Sequence, residues 1–544
     1  MTMRDHLDTV YAGTRHADRV DEIADDLRAM LDDRGADGRP TDGPSRTSPW
    51  SQDDVWVISY PDQFRSQDRS PLATLPVALD ALAPEANGVH VLPCYPWSSD
   101  DGYAVIDPLS IEPDYGDWDD VRHLARGRRV MLDAVVNHVS SESPWFQAFL
   151  AGEPEFVDGF VTADADQDLS AVVRPRSLPL LTPFETSRGR QWVWTTFSAD
   201  QVDVDVSDPA MLLRLLDVLV TYAEAGAAAI RLDAIGFLWK EPGTSCIHLP
   251  QTHAVVKLMR AALDRHHPDV VLITETNVPH DENVAYLGDG DREAQAVYQF
   301  TLPPLVLHTF HEGDATALSD WAQGLSDWTG ADTTFLNFLA SHDGIGLRPA
   351  EGLLADDQVT RMAERVAMAG GVVNARSTPR GDRPYELCTT WFDAMALGDE
   401  ARGLAHHVAS HMIMLLLPGL AGVYVHSLLG TANDHEAYRR TGMGRSLNRR
   451  RFASLDSVLP LSTDTRAGRV NGAIREAMAL RRSNPAFHPD APFEVQPGPS
   501  GLFRFTRGAD ADQVLVEVNV TMTVVDGIEP GRCRITPATD RGRA

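Results

Sequence analysis

Short runs of consecutive apolar residues alternate along this chain with longer stretches whose apolar positions recur every three or four residues. The runs are VWVISYP (55–61), GVHVLP (88–93), RRVMLDAVVNH (128–138), AAAIRLDA (227–234), VVLITET (270–276), TTFLNFLASHD (333–343) and AGVYVHS (421–427). Apolar on successive positions, they read as strands covered on both faces. Helical spacing fills the intervals, as over 209–226 and 252–267. Strand–helix alternation requires parallel pairing, in an open doubly wound sheet or in a closed barrel. Polar groups decide between the two. Asp133 to His138, Arg231 and Asp233, Glu275, and His342 with Asp343 all stand at the carboxyl ends of different runs. An open sheet gathers its ligands at one switch point beside a glycine-rich turn, and no such turn follows a run here. Contributions from many strand ends fit the mouth of a (β/α)8 TIM barrel.

The pattern predicts an α/β fold in seven segments. Residues 1–49 are a helical segment, with Val20, Ile23, Leu27 and Met30 on one face, and a Gly-, Pro- and Asp-rich linker over 32–49. The barrel occupies 50–145, 206–343 and 401–485. Turn-rich 146–205 reads as a small domain inserted after the third strand, and 344–400 as an irregular insertion. Period-two alternation over 486–544 predicts a C-terminal antiparallel β-domain.

Composition narrows the partners. The net charge of −30 argues against nucleic acid or an anionic membrane. Lys240 and Lys257 are the only lysines, so the positive charge is almost all arginine. An acidic, lysine-poor chain suits a high-salt cytosol, and a GC-rich genome would equally favour arginine. Cys94, Cys246, Cys388 and Cys533 form no CxxC pair, which reads as free thiols in a reducing compartment. The amino terminus lacks a basic region followed by an apolar stretch, and Met412–Val425 is too short to span a bilayer. A cytoplasmic protein, monomer or homodimer, is expected.

Three acids, Asp233, Glu275 and Asp343, stand at separate strand ends with no cysteine or multi-histidine cluster beside them. Such a set points to sugar chemistry, where one ionised carboxylate attacks an anomeric carbon and a protonated one feeds the leaving oxygen. Arg231, two residues before Asp233 on the same strand, faces the same side and can keep it ionised and oriented. No metal site is expected. Asp164, Asp166 and Asp168 in TADADQD (162–168) lack the glycine and distal glutamate of a calcium loop.

DAVVNH (133–138), AIRLDA (229–234), LITETN (272–277) and LASHDG (339–344), in that order, resemble the four signature regions of the alpha-amylase family of glycoside hydrolases. The resemblance implies that Asp233 is the nucleophile, Glu275 the general acid/base and Asp343 the carboxylate gripping sugar hydroxyls in the transition state. His138 and His342 match subsite histidines. Asn137 stands where calcium-binding members have a ligand.

A narrower resemblance covers most of 50–485. RLDAIGFLWKEPGTSC (231–246), WVWTTFSADQVDVDVSDP (192–209), LLLPGLAGVYVHSLLGTAND (415–434) and GRSLNR (444–449) are similar to the sucrose phosphorylase subgroup of retaining glucosyl transferases. It implies a covalent glucosyl intermediate, release of α-glucose 1-phosphate, and no cofactor beyond phosphate as co-substrate. It also implies substrate contacts from Asp100, Tyr103, Gln201 and Arg449. Sucrose-cleaving members carry a histidine and a tyrosine where this chain has Asn277 and Phe237. TETNVPHDENVAYLG (274–288) instead resembles the branch that phosphorolyses glucosylglycerate, which makes these two residues candidates for the acceptor and phosphate site. Arg174, Arg176, Arg380, Arg383, Arg439 and Arg440 are further candidates to bind phosphate. Sucrose phosphorylysis, or a glucosidase or transglucosylase using the same triad, are the alternatives.

Overall fold

The computed structural model describes residues 2–35, 49–176, 178–288, 292–330, 332–378 and 381–537. Eight parallel strands close into a barrel: β1 (Val55–Ser59), β2 (Gly88–Val91), β3 (Arg129–Val135), β4 (Ala227–Asp233), β5 (Val271–Thr274), β6 (Ala296–Tyr298), β7 (Thr334–Phe338) and β8 (Leu420–Tyr424). Spatial order follows chain order, β8 returning to β1, as right-handed strand–helix–strand crossovers require. Nearly every strand residue is buried on both faces, which is why the sequence shows unbroken apolar runs.

The chain divides into two compact units. The first comprises Met1–Ser45, Val91–Thr276 and Ala285–Ala296, and holds β3, β4 and β5. Here β4 pairs with β3 on one side and β5 on the other, setting Asp233 opposite Val135 and Arg231 opposite both Asp133 and Ile273. Two amino-terminal helices, Met3–Tyr11 and Val20–Gly35, pack on the helices Pro250–Asp264 and Pro209–Glu224. Arg34 anchors the second by ion pairs to Asp217 (2.6 Å) and Glu224 (3.1 Å). The linker read over 32–49 falls mostly outside the described residues.

Between β3 and the helix Pro209–Glu224 the chain makes a two-stranded ribbon, His138–Ser140 against Gln201–Asp203, and a three-stranded sheet centred on Gly189–Trp194. Trp194, Val161, Leu180 and Cys246 form its small core. Asp164, Asp166 and Asp168 lie exposed.

The second unit comprises Arg46–His90, Asn277–Val284 and Val297–Ala544, and holds β1, β7 and β8. Within 344–400 the structure has a helix, Asp356–Met368, and a hairpin of Val372–Thr378 with Gly381–Cys388, to which the short strand Ile345–Gly346 adds. A four-stranded antiparallel sheet, from Phe493–Val495 to Cys533–Pro537, closes the described chain. Among the described residues no helix is long and apolar enough to cross a membrane.

Candidate active site

In the first unit the site is built around Arg231, which is buried among acids. Its Nη1 donates to Asp133 Oδ1 and, at 2.9 Å, to Asp233 Oδ1, while Nη2 lies 3.9 Å from Glu275 Oε1. Burial opposes its charge most strongly, yet Asp133, Asp233 and Glu275 outweigh that and hold the guanidinium well above its ordinary range. Asp233 ends β4, and Glu275 follows β5. Ala234 takes a left-handed conformation (φ 50°, ψ 27°), which turns its N–H onto Glu275 Oε2 at 2.8 Å. One turn thus ties the two carboxylate-bearing strands together. A non-glycine residue in that region is held only where its surroundings compel it.

Tyr103 lies with its ring centroid 5.9 Å from the Arg231 guanidinium carbon. Its carbonyl receives Gln201 Nε2 (3.3 Å) and His138 Nε2 (3.0 Å). Asn137 Nδ2 lies 3.3 Å from His138 Nδ1, so Asn137 donates there and the ring carries its proton on Nε2. Burial lowers the His138 pKa to about 4, leaving a neutral donor. Phe197 packs against His138 (5.1 Å) and edge-on to Phe237 (5.6 Å), with Arg176 over its face at 5.7 Å. Arg176 Nη2 also donates to Asp100 Oδ2 at 3.0 Å.

Behind this layer, Lys240 Nζ lies 2.7 Å from Asn137 Oδ1 and 2.8 Å from Asp203 Oδ2. Asp203 has no solvent exposure, and the lysine side chain is 3% exposed. The chain has arginine almost everywhere else, and a compact ammonium is what this oxygen pair accommodates. Lys240→Met should therefore destabilise the protein by about 3–5 kcal/mol, because the buried Asp203 would keep its hydrogen bonds from Thr196 but lose its counter-charge. Asp203→Asn added to it should restore part of the loss, which equilibrium urea unfolding would measure.

In the second unit, segment 444–451 grips the turn after β7. Asn448 Nδ2 donates to the carbonyls of Ser341 (3.0 Å) and Asp343 (2.8 Å), and Arg449 Nε to that of His342 (2.8 Å). The Asp343 carboxylate lies 2.6 Å from Arg445 Nη1, 3.4 Å from His342 Nε2 and 4.0 Å from Arg449 Nη2. Arg445 in turn binds Glu386 Oε1 through Nε (3.0 Å) and Nη2 (2.7 Å). Glu386 is buried, also receives Gly344 N–H and Asn374 Nδ2, and against the cost of burial is held below its ordinary pKa by Arg445. With two carboxylates on one guanidinium, Arg445 is charge-satisfied, and it orients Asp343. Asn277 packs on the backbone of Gly346, where any side chain would collide with its amide, and its buried Oδ1 has no partner among the described residues.

The candidates from the sequence thus divide into two sets. Asp233, Glu275, Arg231, Asp100, Tyr103, His138, Gln201 and Phe237 lie in the first unit, and Asp343, His342, Arg449 and Asn277 in the second. Of the arginines, Arg176 joins the first set, Arg383 pairs with Asp356 (2.8 Å), and Arg439 and Arg440 are exposed on a helix. Arg380 lies outside the described residues. Sequence reading missed Asp133 as a partner of Arg231, and also Asp200, Asp203, Lys240, Glu386 and Arg445. Only Lys240 carried a signal, as one of two lysines.

A closed parallel barrel with acids at the ends of β4 and β5 and beyond β7 is the framework of a carbohydrate-active enzyme. The chain belongs to the alpha-amylase family, matching the alpha amylase catalytic domain over residues 83–368. It is 46% identical over 482 residues to the glucosylglycerate phosphorylase of Allomeiothermus silvanus, an alignment covering 88% of this chain and 86% of that one. With the sucrose phosphorylase of Agrobacterium vitis it shares 33% identity over 476 residues, 82% of this chain and 91% of its relative. Its fold is similar to the crystal structure of sucrose 6F-phosphate phosphorylase from Thermoanaerobacter thermosaccharolyticum, with a TM-score of 0.75 and 25% identity, covering 90% of this chain and 98% of that one.

Proposed function

We propose that this enzyme is a retaining α-glucoside phosphorylase acting on glucosylglycerate. The observation that carries the chemistry is the single guanidinium shared by Asp233 and Glu275. One cation flanked by both acids supports a closely spaced pair, as a double displacement needs. Asp233 attacks the anomeric carbon, the glycosidic C–O bond breaks, and Glu275 passes its proton to the departing glycerate oxygen. Phosphate then attacks the glucosyl ester on the face the aglycone left. The Asp233 carboxylate departs, Glu275 takes the proton phosphate gives up, and α-glucose 1-phosphate forms with net retention.

Asp343, held by Arg445 and Asn448, is the acid we assign to the sugar hydroxyls. Of the arginines, we favour Arg176 for phosphate, because it stacks on Phe197 at the Asp100 side of the site. Asn277 and Phe237, which replace the histidine and tyrosine of sucrose-cleaving enzymes, support glycerate as acceptor, as does the higher identity to a glucosylglycerate phosphorylase. The reading involves no cofactor, only phosphate as co-substrate. It suits a cytoplasmic monomer or homodimer, with Cys94, Cys246 and Cys388 unpaired and buried.

The test is phosphate release from α-glucose 1-phosphate with D-glycerate, glycerol or fructose as acceptor, at low and at molar salt. Glycerate should exceed fructose by at least about a hundredfold in kcat/KM, since a site with polar partners for one acceptor strands them with another. Preference for fructose would give sucrose phosphorylase instead, and phosphate release matched by an equal amount of free glucose, whether or not an acceptor is present, would give a hydrolase.

A further inference from the structure

Two adjacent residues, Asp200 and Gln201, hold opposite ends of a strained turn. Within 98–104, Asp100 and Asp101 adopt φ of 54° and 52°, and Gly102 one of 110°. Successive left-handed residues, two of them bearing side chains, persist only where surrounding contacts over-determine them. The turn's own hydrogen bonds include Ser98 N–H to Ala104 O (3.1 Å), Ala104 N–H to Ser99 O (3.2 Å) and Tyr103 N–H to Asp100 O (3.3 Å).

The over-determination comes from the ribbon beside it. Asp200 Oδ2 accepts from Ser98 Oγ at 2.6 Å and from Ser99 Oγ. Its Oδ1 accepts from Ser141 Oγ at 2.7 Å and Ser141 N–H at 3.3 Å. Ser140 Oγ, 3.3 Å from Oδ1 and 2.6 Å from Ser98 Oγ, bridges the two sides. Although partial burial works against the charge, the serine donors keep this carboxyl below its ordinary pKa, so it is an acceptor throughout the neutral range. At the other end, Gln201 and His138 fix the Tyr103 carbonyl, and Gln201 pairs with Ser140 across the ribbon.

We propose that Asp200 is a positioning residue, which with Gln201 clamps the 98–104 turn and so presents Asp100 to the glucosyl unit. This rests on the glucoside reading above. A turn released from the clamp would spend only part of its time in the competent form, and apparent affinity falls by that fraction. The loss therefore falls on KM, because the catalytic carboxylates are untouched.

The experiment compares wild type with Asp200→Ala in KM and kcat for α-glucose 1-phosphate, thermal midpoint and hydrogen exchange. KM should rise about tenfold while kcat stays within about threefold, as a competent fraction of one tenth would give. The amides of Ser98 and Ala104 should exchange faster, with little change in the midpoint. A folded variant with wild-type KM, with unchanged exchange at those amides, or with its loss in kcat alone, overturns the proposal. Should Asp200→Ala not fold, Ser99→Ala and Ser141→Ala each remove one donor and should raise KM about two- to threefold; unchanged KM in both overturns it. If wild type releases no phosphate with any acceptor, the phosphorylase reading fails, and the exchange measurement alone decides the clamp.

Discussion

Asp233→Asn should abolish the burst of phosphate that enzyme mixed with α-glucose 1-phosphate releases before any acceptor is added. Glu275→Gln should keep the burst. Phosphate is a far weaker base than a sugar alkoxide and departs with little help from an acid. The glucosyl ester can thus still form without Glu275, stoichiometric with enzyme. Turnover is another matter, because the acceptor hydroxyl must lose a proton as it attacks, and Glu275 is the group proposed to take it. Steady-state release with D-glycerate should fall about 10²–10⁴-fold in Glu275→Gln, the range for one general acid–base group. In Asp233→Asn it should fall further, by roughly 10⁴–10⁶-fold, since a nucleophile removed from a concerted set costs about as much as the whole set. Rapid-quench measurement of phosphate, with and without glycerate, separates the two roles. A burst surviving in Asp233→Asn would refute its assignment as nucleophile. Equal loss of burst and turnover in Glu275→Gln would mean that it holds Ala234 and the strand ends in place and does not move a proton.

The candidate acids were open to sequence reading because each stands at or beyond the end of a strand long enough to be recognised. β6 was not. Its three residues, Ala296–Tyr298, give neither alternation nor a run, and only the closure of the barrel requires a strand there. The hairpin Val372–Cys388 was equally hidden, because charged residues and Pro384 interrupt it and its register shifts between Asn374 and Ala375. The residues that orient the acids were the least legible. Arg445 meets Glu386 across 59 positions, and Asp200 meets Ser98 across 102. Nothing local distinguishes such an arginine or aspartate from a solvated one. Asp133 stood inside a recognised motif, yet its pairing with Arg231 depends on the register of β3 against β4. Motifs named the candidate site residues, whereas the groups that hold them came from the fold.

Stability should collapse steeply as pH falls from about 6.5 toward 4. His138, His311, His406 and His411 are pushed by burial down to about 4, and His426 to about 3. All five are neutral in the folded protein and titrate near 6.5 once unfolded. A folded-state value below the unfolded one gives stability that is complete above the unfolded pKa and lost as pH drops through the window between them. Below pH 6 these five histidines bind up to five more protons in the unfolded chain than in the folded one, about 1.4 kcal/mol per pH unit for each, or about 7 together. Typical stabilities of 5–15 kcal/mol would be consumed within one to two pH units. Asp208, Asp393 and Asp490, raised by burial, take up protons earlier in the folded state and offset part of this near pH 4. Circular dichroism against urea at pH 7, 6, 5.5 and 5 gives the slope directly. Four of these histidines lie in the second unit and only His138 near the acids of the first, so acid unfolding should be nearly as steep in a His138→Gln variant. Stability that stays level down to pH 4.5 would mean that these rings reach water or a proton acceptor in the folded state.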